Sequence, residues 1–253
     1  MSAIINFSGG RTSGYMLHRM LEVGFPTDTH VVFCNTGKEH EGTLDFVREC
    51  ALRWAVPIVW LEWSPEKPHF RQVSYETASR KGEPFAALTE KRKFLPNAKA
   101  RFCTQEMKIK TEYRFARSLG WDEWDSYVGI RADEPRRAAR LNARNDTGEE
   151  RAEKVMPLVK WGITRKDVLS FWSNQPFDLG IPEGFGNCDM CFLKGRAVLQ
   201  ANAKASPERV AWWADQEDKR KATFVKHGVK YRDLLTAPAC SINDAIEDCT
   251  CTD

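Results

Sequence analysis

Short apolar runs alternate with helical patterns over the first quarter of the chain. The apolar runs Ala3–Phe7, His30–Cys34 and Pro57–Trp63 have the length of buried strands. Between them, from Arg11 to Gly24 and from Glu41 to Ala55, apolar residues recur at spacings of three and four, which predicts two helices. This order of strand and helix is typical of a parallel sheet with helices on its faces.

The same pattern continues less regularly in the middle of the chain. Residues 64–101 are rich in Lys, Arg, Pro and Glu, and they predict either a solvated excursion or a functional lid, with a short helix at Pro84–Lys91. Further strands are predicted at Asp125–Ile130 and Lys154–Val159. Thr164 is a predicted N-cap for a helix that runs through Trp172, because Asp167 stands at the position of its capping partner.

Past residue 175 the pattern predicts a smaller unit. Ser206 and Pro207 are suited to begin a helix, which we expect to run to about His227. We therefore predict an α/β domain with a Rossmann-like parallel sheet over residues 1–175. A C-terminal segment, residues 176–253, with a CxxC sequence, a helix and a cysteine tail, is expected to pack on the same domain.

Two polar turns follow the first two predicted strands. Ser8-Gly9-Gly10 joins a strand end to a helix start, where glycine allows close approach of a ligand and the helix N-terminus favours a phosphate. Asn35-Thr36-Gly37 follows the second strand. Since ligands of parallel sheets bind outside the carboxyl ends of the strands, both turns are predicted to face one ligand.

Composition and charge narrow the class of protein only slightly. The chain is 42% hydrophobic and 29% charged, which is typical of a globular protein, and its net charge of +3 does not by itself indicate a nucleic-acid partner. Five arginines nevertheless cluster between Arg131 and Arg144. No apolar run is long enough to span a membrane or resembles a signal peptide, so we expect a cytoplasmic protein without a membrane partner.

Eight cysteines in a protein of this expected location favour metal ligands or reactive thiols over disulfides. Cys188 and Cys191 form a CxxC turn, which brings two thiolates within reach of one metal ion or cluster, although the same spacing occurs in redox pairs. Cys103 precedes a predicted helix. Three further cysteines lie in the tail, at positions 240, 249 and 251.

Five segments, in order along the chain, resemble sequence blocks of the phosphoadenosine phosphosulfate (PAPS) reductase-like family of the PP-loop superfamily. They are SGGRTSG from Ser8, FCNTGKEHEGT from Phe33, CTQEMKIK from Cys103, GIRADEPRR from Gly129 and PLVKWGITRKDV from Pro157. The resemblance implies an adenine nucleotide α-hydrolase-like fold and a site for an adenine nucleotide, either ATP or a PAPS-like sulfonucleotide.

The resemblance also implies roles for individual residues. The phosphate loop would be Ser8, Gly9, Gly10, Arg11, Thr12 and Ser13, the adenine-side loop Asn35, Thr36 and Gly37, and the phosphate or sulfate contacts Gly129, Arg131, Arg136 and Arg137. A guanidinium group binds such oxygens two at a time. Ser13 and Arg131 are the catalytic candidates within this set. Asp133 and Glu134 would either hold the arginines in place or bind Mg²⁺.

The cysteines have counterparts in the same family. Cys103, with Lys108 five residues later, matches the family's cysteine block, so Cys103, Cys188 and Cys191 are expected to hold a [4Fe–4S] cluster, with zinc as the runner-up. The tail sequence EDCTCTD lacks the cysteine motif that ends the sulfonucleotide reductases. Cys249 and Cys251 are therefore candidates for a catalytic tail thiol or, with Cys240, for a fourth cluster ligand, and a tail without a role is the third alternative.

The resemblance implies an enzyme that carries out iron–sulfur-dependent sulfur transfer or sulfonucleotide reduction, with a sulfur donor or a redox protein as partner. Ser-Gly-Gly in the loop favours ATP, although Thr12 stands where ATP-splitting members carry Asp. The alternative is a non-catalytic nucleotide-binding or DNA-associated component with the same fold. Release of AMP and pyrophosphate from ATP would distinguish an enzyme from such a component.

Overall fold

A six-stranded sheet forms the centre of the computed structural model, which describes residues 2–148, 150–182, 185–225 and 229–237. The strand order is β4-β3-β2-β1-β5-β6, and every neighbouring pair is parallel except β3 and β4. The strands are β1 (Ser2–Asn6), β2 (Asp28–Asn35), β3 (Ile58–Trp63), β4 (Phe70–Val73), β5 (Trp124–Tyr127) and β6 (Ala152–Val155). The predicted α/β class is confirmed, with one antiparallel edge strand in the sheet.

Helices cover both faces of this sheet. They are α1 (Arg11–Val23), α2 (Glu41–Arg53), α3 (Glu83–Arg92), α4 (Phe102–Thr104), a π-helix (Gln105–Ile109), α5 (Lys110–Ser118), α6 (Pro135–Asn145), α7 (Pro157–Lys160), α8 (Arg165–Ser173), α9 (Arg196–Ala205), α10 (Pro207–Arg220) and a 3₁₀-helix (Tyr231–Leu235). Within the described ranges, no helix combines the length and the apolar character needed to cross a membrane.

Alternation along the strands divides the core in two. Ile5 and Phe33 point to the face that packs against α1, α2 and α8, where Leu17, Phe46 and Trp172 are buried. Ile4 and Val32 point to the opposite face, against Phe115 of α5. Because side chains alternate across a strand, neighbouring residues of β1 and β2 stabilise both layers.

The structure corrects three predicted boundaries. The strand expected at Lys154–Val159 ends at Val155, because Pro157 occupies the first turn of the short helix α7. The helix expected to reach His227 ends at Arg220, where Lys221 adopts a left-handed conformation with φ 50°. Residues 64–101 contain β4 besides the predicted helix, which the structure places at Glu83–Arg92.

A second apolar cluster attaches the C-terminal segment to the sheet domain. Phe85 and Leu88 of α3, together with Phe102 and Met107, are buried against side chains from beyond residue 185. Those side chains are Met190, Phe192, Leu199, Val210, Trp213, Phe224, Tyr231 and Leu234. This contact brings the CxxC turn to the carboxyl edge of the sheet.

Candidate nucleotide and cysteine site

The turn between β1 and α1 is held in shape by the hydroxyl of Ser13. Its Oγ accepts hydrogen bonds from the Ser8 N–H (3.2 Å) and the Gly10 N–H (3.3 Å), donates to the Gly10 carbonyl (3.0 Å) and lies 2.9 Å from Ser8 Oγ. Ser13 is buried, whereas Ser8 is exposed at the rim. The geometry gives Ser13 a role in the shape of the loop, and its catalytic role stays a prediction.

Gly9 is the position in this loop that requires glycine. Its φ of +77° lies in the left-handed region, and a Cβ added there would stand 2.5 Å from Thr43 Cγ2 of α2. α2 therefore packs directly against this side of the loop.

Arg131 reaches the phosphate loop from the end of β5. Its Nη1 donates to Thr12 Oγ1 (3.3 Å), and its Nε donates to Asp133 Oδ1 (2.9 Å). The Arg131 N–H donates to Glu134 Oε2 (3.0 Å). Gly129 allows this approach, because a Cβ there would stand 3.2 Å from the Ser13 Cα. The predicted phosphate loop and the predicted arginine thus meet in space.

Asp133 and Glu134 are both engaged with arginines. Although partial burial opposes it, hydrogen bonds from Arg131 and from the Arg165 N–H hold the pKa of Asp133 below its usual value. Glu134 also forms an ion pair with Arg137. Of the two roles that the sequence allows, these contacts favour the one in which Asp133 and Glu134 hold the arginines in place. Binding of Mg²⁺ by these carboxylates stays a prediction.

Two further predicted arginines are Arg11, whose backbone belongs to the loop but whose side chain pairs with the segment after α8, and Arg136 on the surface of α6. Arg11 forms a bidentate pair with Asp178, with both N–O distances at 2.8 Å, and donates to the Leu179 carbonyl (3.2 Å). In this state it fixes the segment after α8 to the start of α1. Arg136 is exposed in the first turn of α6.

Asn35, Thr36 and Gly37 form a buried turn beside the loop. The Asn35 amide donates to Glu62 Oε1 (2.7 Å) and to the Ser79 carbonyl (2.8 Å), and its Oδ1 accepts from the Gly37 N–H (3.0 Å). Gly37 has φ +77°. Asn35 therefore holds the turn in place, while direct contact of this turn with adenine stays a prediction.

The three predicted metal ligands line one cavity of about 50 Å³. Cys103 comes from α4, Cys188 and Cys191 come from the CxxC turn, and Thr36 and Lys108 lie in the same wall. Within the described part of the chain, no group of three His, Cys, Asp or Glu side chains surrounds a point suited to a single metal ion. The cysteines thus share a cavity without converging on one point.

Burial controls the acidity of two of these thiols. It raises the pKa of Cys103, against the opposing charge of Lys108. Burial, followed by the neighbouring Glu39 carboxylate, raises the pKa of Cys188 well above its usual value, again opposed by Lys108. Metal binding at this cavity would have to displace thiol protons and would therefore weaken as the pH falls.

Asn187 connects the cysteine cavity to the phosphate loop. Its amide donates to the Ser8 carbonyl (2.9 Å), and its own carbonyl accepts from the His40 N–H (2.6 Å) and from Thr43 Oγ1 (3.3 Å). Asn187 immediately precedes Cys188, so the two sites share a wall.

Sequence reasoning missed Asn187, Glu39 and a buried pair between Lys38 and Asp189 (2.9 Å). The signal for Asp189 and Asn187 was their position beside the CxxC cysteines, and Glu39 stood within a quoted family block. The three tail cysteines for which the sequence allows a role, Cys240, Cys249 and Cys251, lie outside the described residues.

Comparisons with known proteins agree with the architecture. The model of the phosphoadenosine phosphosulfate reductase domain matches residues 2–177. An uncharacterized nin region protein, ORF290 of Escherichia phage lambda, is 32% identical over 209 residues, which are 77% of this chain and 67% of that protein.

Two solved structures have weaker similarity. Phosphoadenylyl-sulfate reductase from Candida auris, in a phosphate complex, is 15% identical with a TM-score of 0.39, over 68% of this chain and 72% of its own. The U34-tRNA thiolase NcsA from Methanococcus maripaludis, with its [4Fe–4S] cluster, is 12% identical with a TM-score of 0.41, over 98% of this chain and 79% of its own. These values are too low to transfer residue roles.

Proposed function

Because this chain belongs to the phosphoadenosine phosphosulfate reductase domain family, we propose that it binds an adenine nucleotide at the Ser8–Ser13 loop. We further propose that Cys103, Cys188 and Cys191 hold an iron–sulfur cluster and that the protein is an enzyme of nucleotide-dependent sulfur transfer. Such an enzyme belongs in the cytoplasm, where thiols stay reduced. A sulfur donor or a redox protein is its expected partner.

The observation that carries this proposal is the hydrogen bond from Asn187 to the Ser8 carbonyl. Through this bond Asn187, the residue before Cys188, contacts the Ser8–Ser13 loop. A nucleotide-activated group bound at the loop would therefore lie next to the cysteine cavity. This shared contact supports a common function for the Ser8–Ser13 loop and the cysteine cavity.

The chain's own residues account for binding and orientation. The backbone N–H groups at the start of α1 and the helix dipole attract the phosphates. Arg131, held by Asp133 and Glu134, presents a fixed positive charge beside Thr12. Trp172 donates to the Arg11 carbonyl (2.8 Å) and anchors the first turn of α1.

The cysteine cavity fits a cluster better than a single zinc ion. Zinc needs four ligands within about 2.3 Å of one point, and the described residues offer no such group. In a cluster each thiolate binds a different iron, so the three thiols need not converge on one point. Bound there, a cluster would supply iron that can hold sulfur.

The first test measures iron and acid-labile sulfide in protein purified anaerobically. We expect a cluster in the wild type and its loss when Cys103, Cys188 or Cys191 is changed to Ser. Cys50, a buried residue of α2 in the main core, is the matched control, and Cys50→Ser should keep the cluster. Stoichiometric zinc without sulfide, or a cluster indifferent to Cys103, would contradict the assignment.

The second test follows the nucleotide. Formation of AMP and pyrophosphate from ATP, dependent on a sulfur acceptor, is the expected result for sulfur transfer. Sulfonucleotide reduction is the second candidate, which the matched reductase domain favours. It predicts turnover of PAPS or adenosine phosphosulfate with a dithiol reductant and no cleavage of ATP. Binding of nucleotides without any turnover would favour the non-catalytic alternative.

A nucleic-acid partner is supported by α6. Arg136, Arg140 and Arg144 are exposed at spacings of four along this helix, which contains no Asp or Glu. Residues four apart lie on one face, so the three guanidinium groups form a stripe suited to phosphates. If nucleic acid binds here, changing all three arginines to Gln should weaken binding and reduce its salt dependence, whereas Lys204→Gln on α9 should not.

A further inference from the structure

The carboxylate of Glu39 is buried beside Cys188, one of the residues that line the cysteine cavity. Glu39 follows the Asn35–Gly37 turn, is 6% exposed, and forms an isolated antiparallel bridge with Cys188. The adjacent Asp189 N–H donates to the Lys38 carbonyl (2.8 Å). The backbone thus fixes Glu39 beside the CxxC turn, and its carboxylate lies next to the Cys188 thiol.

The two oxygens of this carboxylate differ in their partners. Oε1 accepts a hydrogen bond from Thr36 Oγ1 (3.1 Å) and lies 3.4 Å from Lys108 Nζ. Oε2 is buried and has no hydrogen-bond partner among the described residues. Buried carboxylate oxygens are normally paired, because leaving one without a partner is costly, so Oε2 calls for a ligand.

The neighbours of Glu39 indicate where that ligand lies. Thr36, Lys108 and Cys188 each contact the carboxylate or lie beside it, and all three line the cavity that Cys103 and Cys191 also line. A group bound among the three cysteines is therefore the nearest candidate for the partner of Oε2.

Charge is consistent with a metal partner for Oε2. Lys108 contributes one positive charge to a region that would hold the Glu39 carboxylate and three thiolates once the thiol protons are displaced. Three cysteines also leave one iron of a [4Fe–4S] cluster without a thiolate. A carboxylate oxygen is an accepted ligand for iron, but it is a harder and weaker partner than sulfur at such a cluster.

We propose that Glu39 Oε2 is the fourth ligand of the cluster held by Cys103, Cys188 and Cys191, which rests on the proposed function above. Bound there, the Glu39 carboxylate would slow the loss of that iron, and it would be a ligand that a sulfur ligand could displace, because oxygen is the weaker partner at such a cluster. Glu39 would then control access to the iron of the cluster that no cysteine holds.

The experiment compares Glu39→Gln with the wild type after anaerobic reconstitution with ⁵⁷Fe and sulfide. Gln keeps the size of the side chain and can still accept from Thr36, so the fold should survive, which circular dichroism checks. Glu39→Cys is the rescue variant. Glu112→Gln is the matched control, because Glu112 is also buried but its carboxylate accepts from Ser126 Oγ (2.8 Å) and Trp124 Nε1 (3.4 Å) of β5, not from a residue that lines the cavity.

We expect the Glu39→Gln cluster to lose one iron at least about tenfold faster than the wild type under mild oxidation, in the range for lost metal-site partners. The product would show the electron paramagnetic resonance signal of a three-iron cluster. In the wild type, Mössbauer spectra should show one iron distinct from the other three, and Glu39→Cys should remove that distinction and restore the slow rate. Glu112→Gln should match the wild type.

Two results would overturn the inference, and they are distinguishable. If the wild-type cluster depends on the three cysteines but Glu39→Gln leaves the rate of iron loss and the Mössbauer spectrum unchanged, Glu39 is not a ligand and the proposed function stands. Dependence on Cys240, Cys249 or Cys251 instead would identify a tail thiol as the ligand. If the wild type binds no cluster, both the inference and the cluster of the proposed function fail.

Discussion

Arg131 is 6% exposed, yet it carries its charge to the phosphate loop at the end of β5. Its Nε donates a hydrogen bond to Asp133 and its backbone N–H donates to Glu134, so the Arg131 side chain is oriented before any ligand binds. Preorganisation of this kind reduces the cost of ordering a flexible cation when a ligand arrives.

Changing Arg131 should therefore weaken nucleotide binding. We expect Arg131→Ala to lose about 1.5–3 kcal/mol of binding free energy, the range for hydrogen bonds to charged groups. Arg131→Lys should also lose affinity, because it keeps the charge without the two-pronged donor. Calorimetry with ATP and with PAPS measures both variants, and exposed Arg140→Ala is the control. Unchanged affinity for every adenine nucleotide would contradict the assignment of Arg131.

Gly9 offers a second test of the loop. Gly9→Ala should destabilise the fold by about 1–3 kcal/mol, from the left-handed φ and the contact with Thr43 Cγ2. Thr43→Ser removes that methyl group and keeps the hydroxyl that donates to the Asn187 carbonyl. In denaturant unfolding, the double variant should be more stable than the sum of the single changes predicts. Strict additivity would show that the contact with Thr43 is not the cause.

At the scale of elements, the π-helix Gln105–Ile109 separates Cys103 from α5 and carries Glu106. This carboxylate is paired with Arg92 of α3, with Lys110 (2.8 Å) and with Arg114 (3.3 Å). Burial alone would raise the pKa of Glu106, but the hydrogen bond from Lys110 and the surrounding positive charges lower this pKa below its usual value. The ion pair between Glu106 and Arg92 connects the π-helix, which directly follows Cys103, to α3.

The lowered pKa predicts a dependence of stability on pH. A carboxyl group whose pKa is lower in the folded than in the unfolded state contributes stability above the unfolded pKa of about 4.3, and this contribution is lost as the pH falls through the folded pKa. We expect Glu106→Gln to destabilise the protein by about 1–3 kcal/mol at pH 7 and to flatten the decline below about pH 5.

Urea unfolding between pH 3 and 7 measures this difference. Glu208→Gln, at an exposed carboxylate of α10, is the control and should follow the wild-type curve. Parallel curves for Glu106→Gln and the wild type over the whole pH range would contradict the prediction.

At the scale of the whole molecule, the C-terminal segment completes the core. Phe85, Leu88, Phe102 and Met107 are buried by side chains from beyond residue 185. The match to the family domain ends at residue 177. The match therefore ends before the residues that cover this apolar surface.

Shortening the chain tests this dependence. We expect a chain ending at residue 177 to bind a hydrophobic dye and to unfold at a much lower urea concentration than the 253-residue chain, because its second core is exposed to water. The 253-residue chain should unfold in a single transition. A shortened chain with the wild-type midpoint would show that the two parts fold independently, and the boundary at residue 175 would then separate two true domains.

The sequence by itself determined the order of strands and helices from β1 to β3, the two turns at the strand ends and the arginine after β5. These features follow from local chemistry: the periodicity of apolar residues reports which face is buried, and Gly9 marks a backbone turn within a few residues. The pairing of Thr164 with Asp167 in a capping box was predictable for the same reason, since the two residues lie one turn apart. The resemblance in the sequence supplied the family, which the match to residues 2–177 confirms.

Only the tertiary structure decided which distant residues meet. Arg11 pairs with Asp178, Asn187 contacts Ser8, and Glu39 lies beside Cys188, although 148 or more residues separate each pair along the chain. No periodicity encodes such contacts, because they depend on how the C-terminal segment packs against the carboxyl edge of the sheet. That packing brings the predicted loop and the predicted cysteines to one wall and sets the buried Glu39 carboxylate beside Cys188.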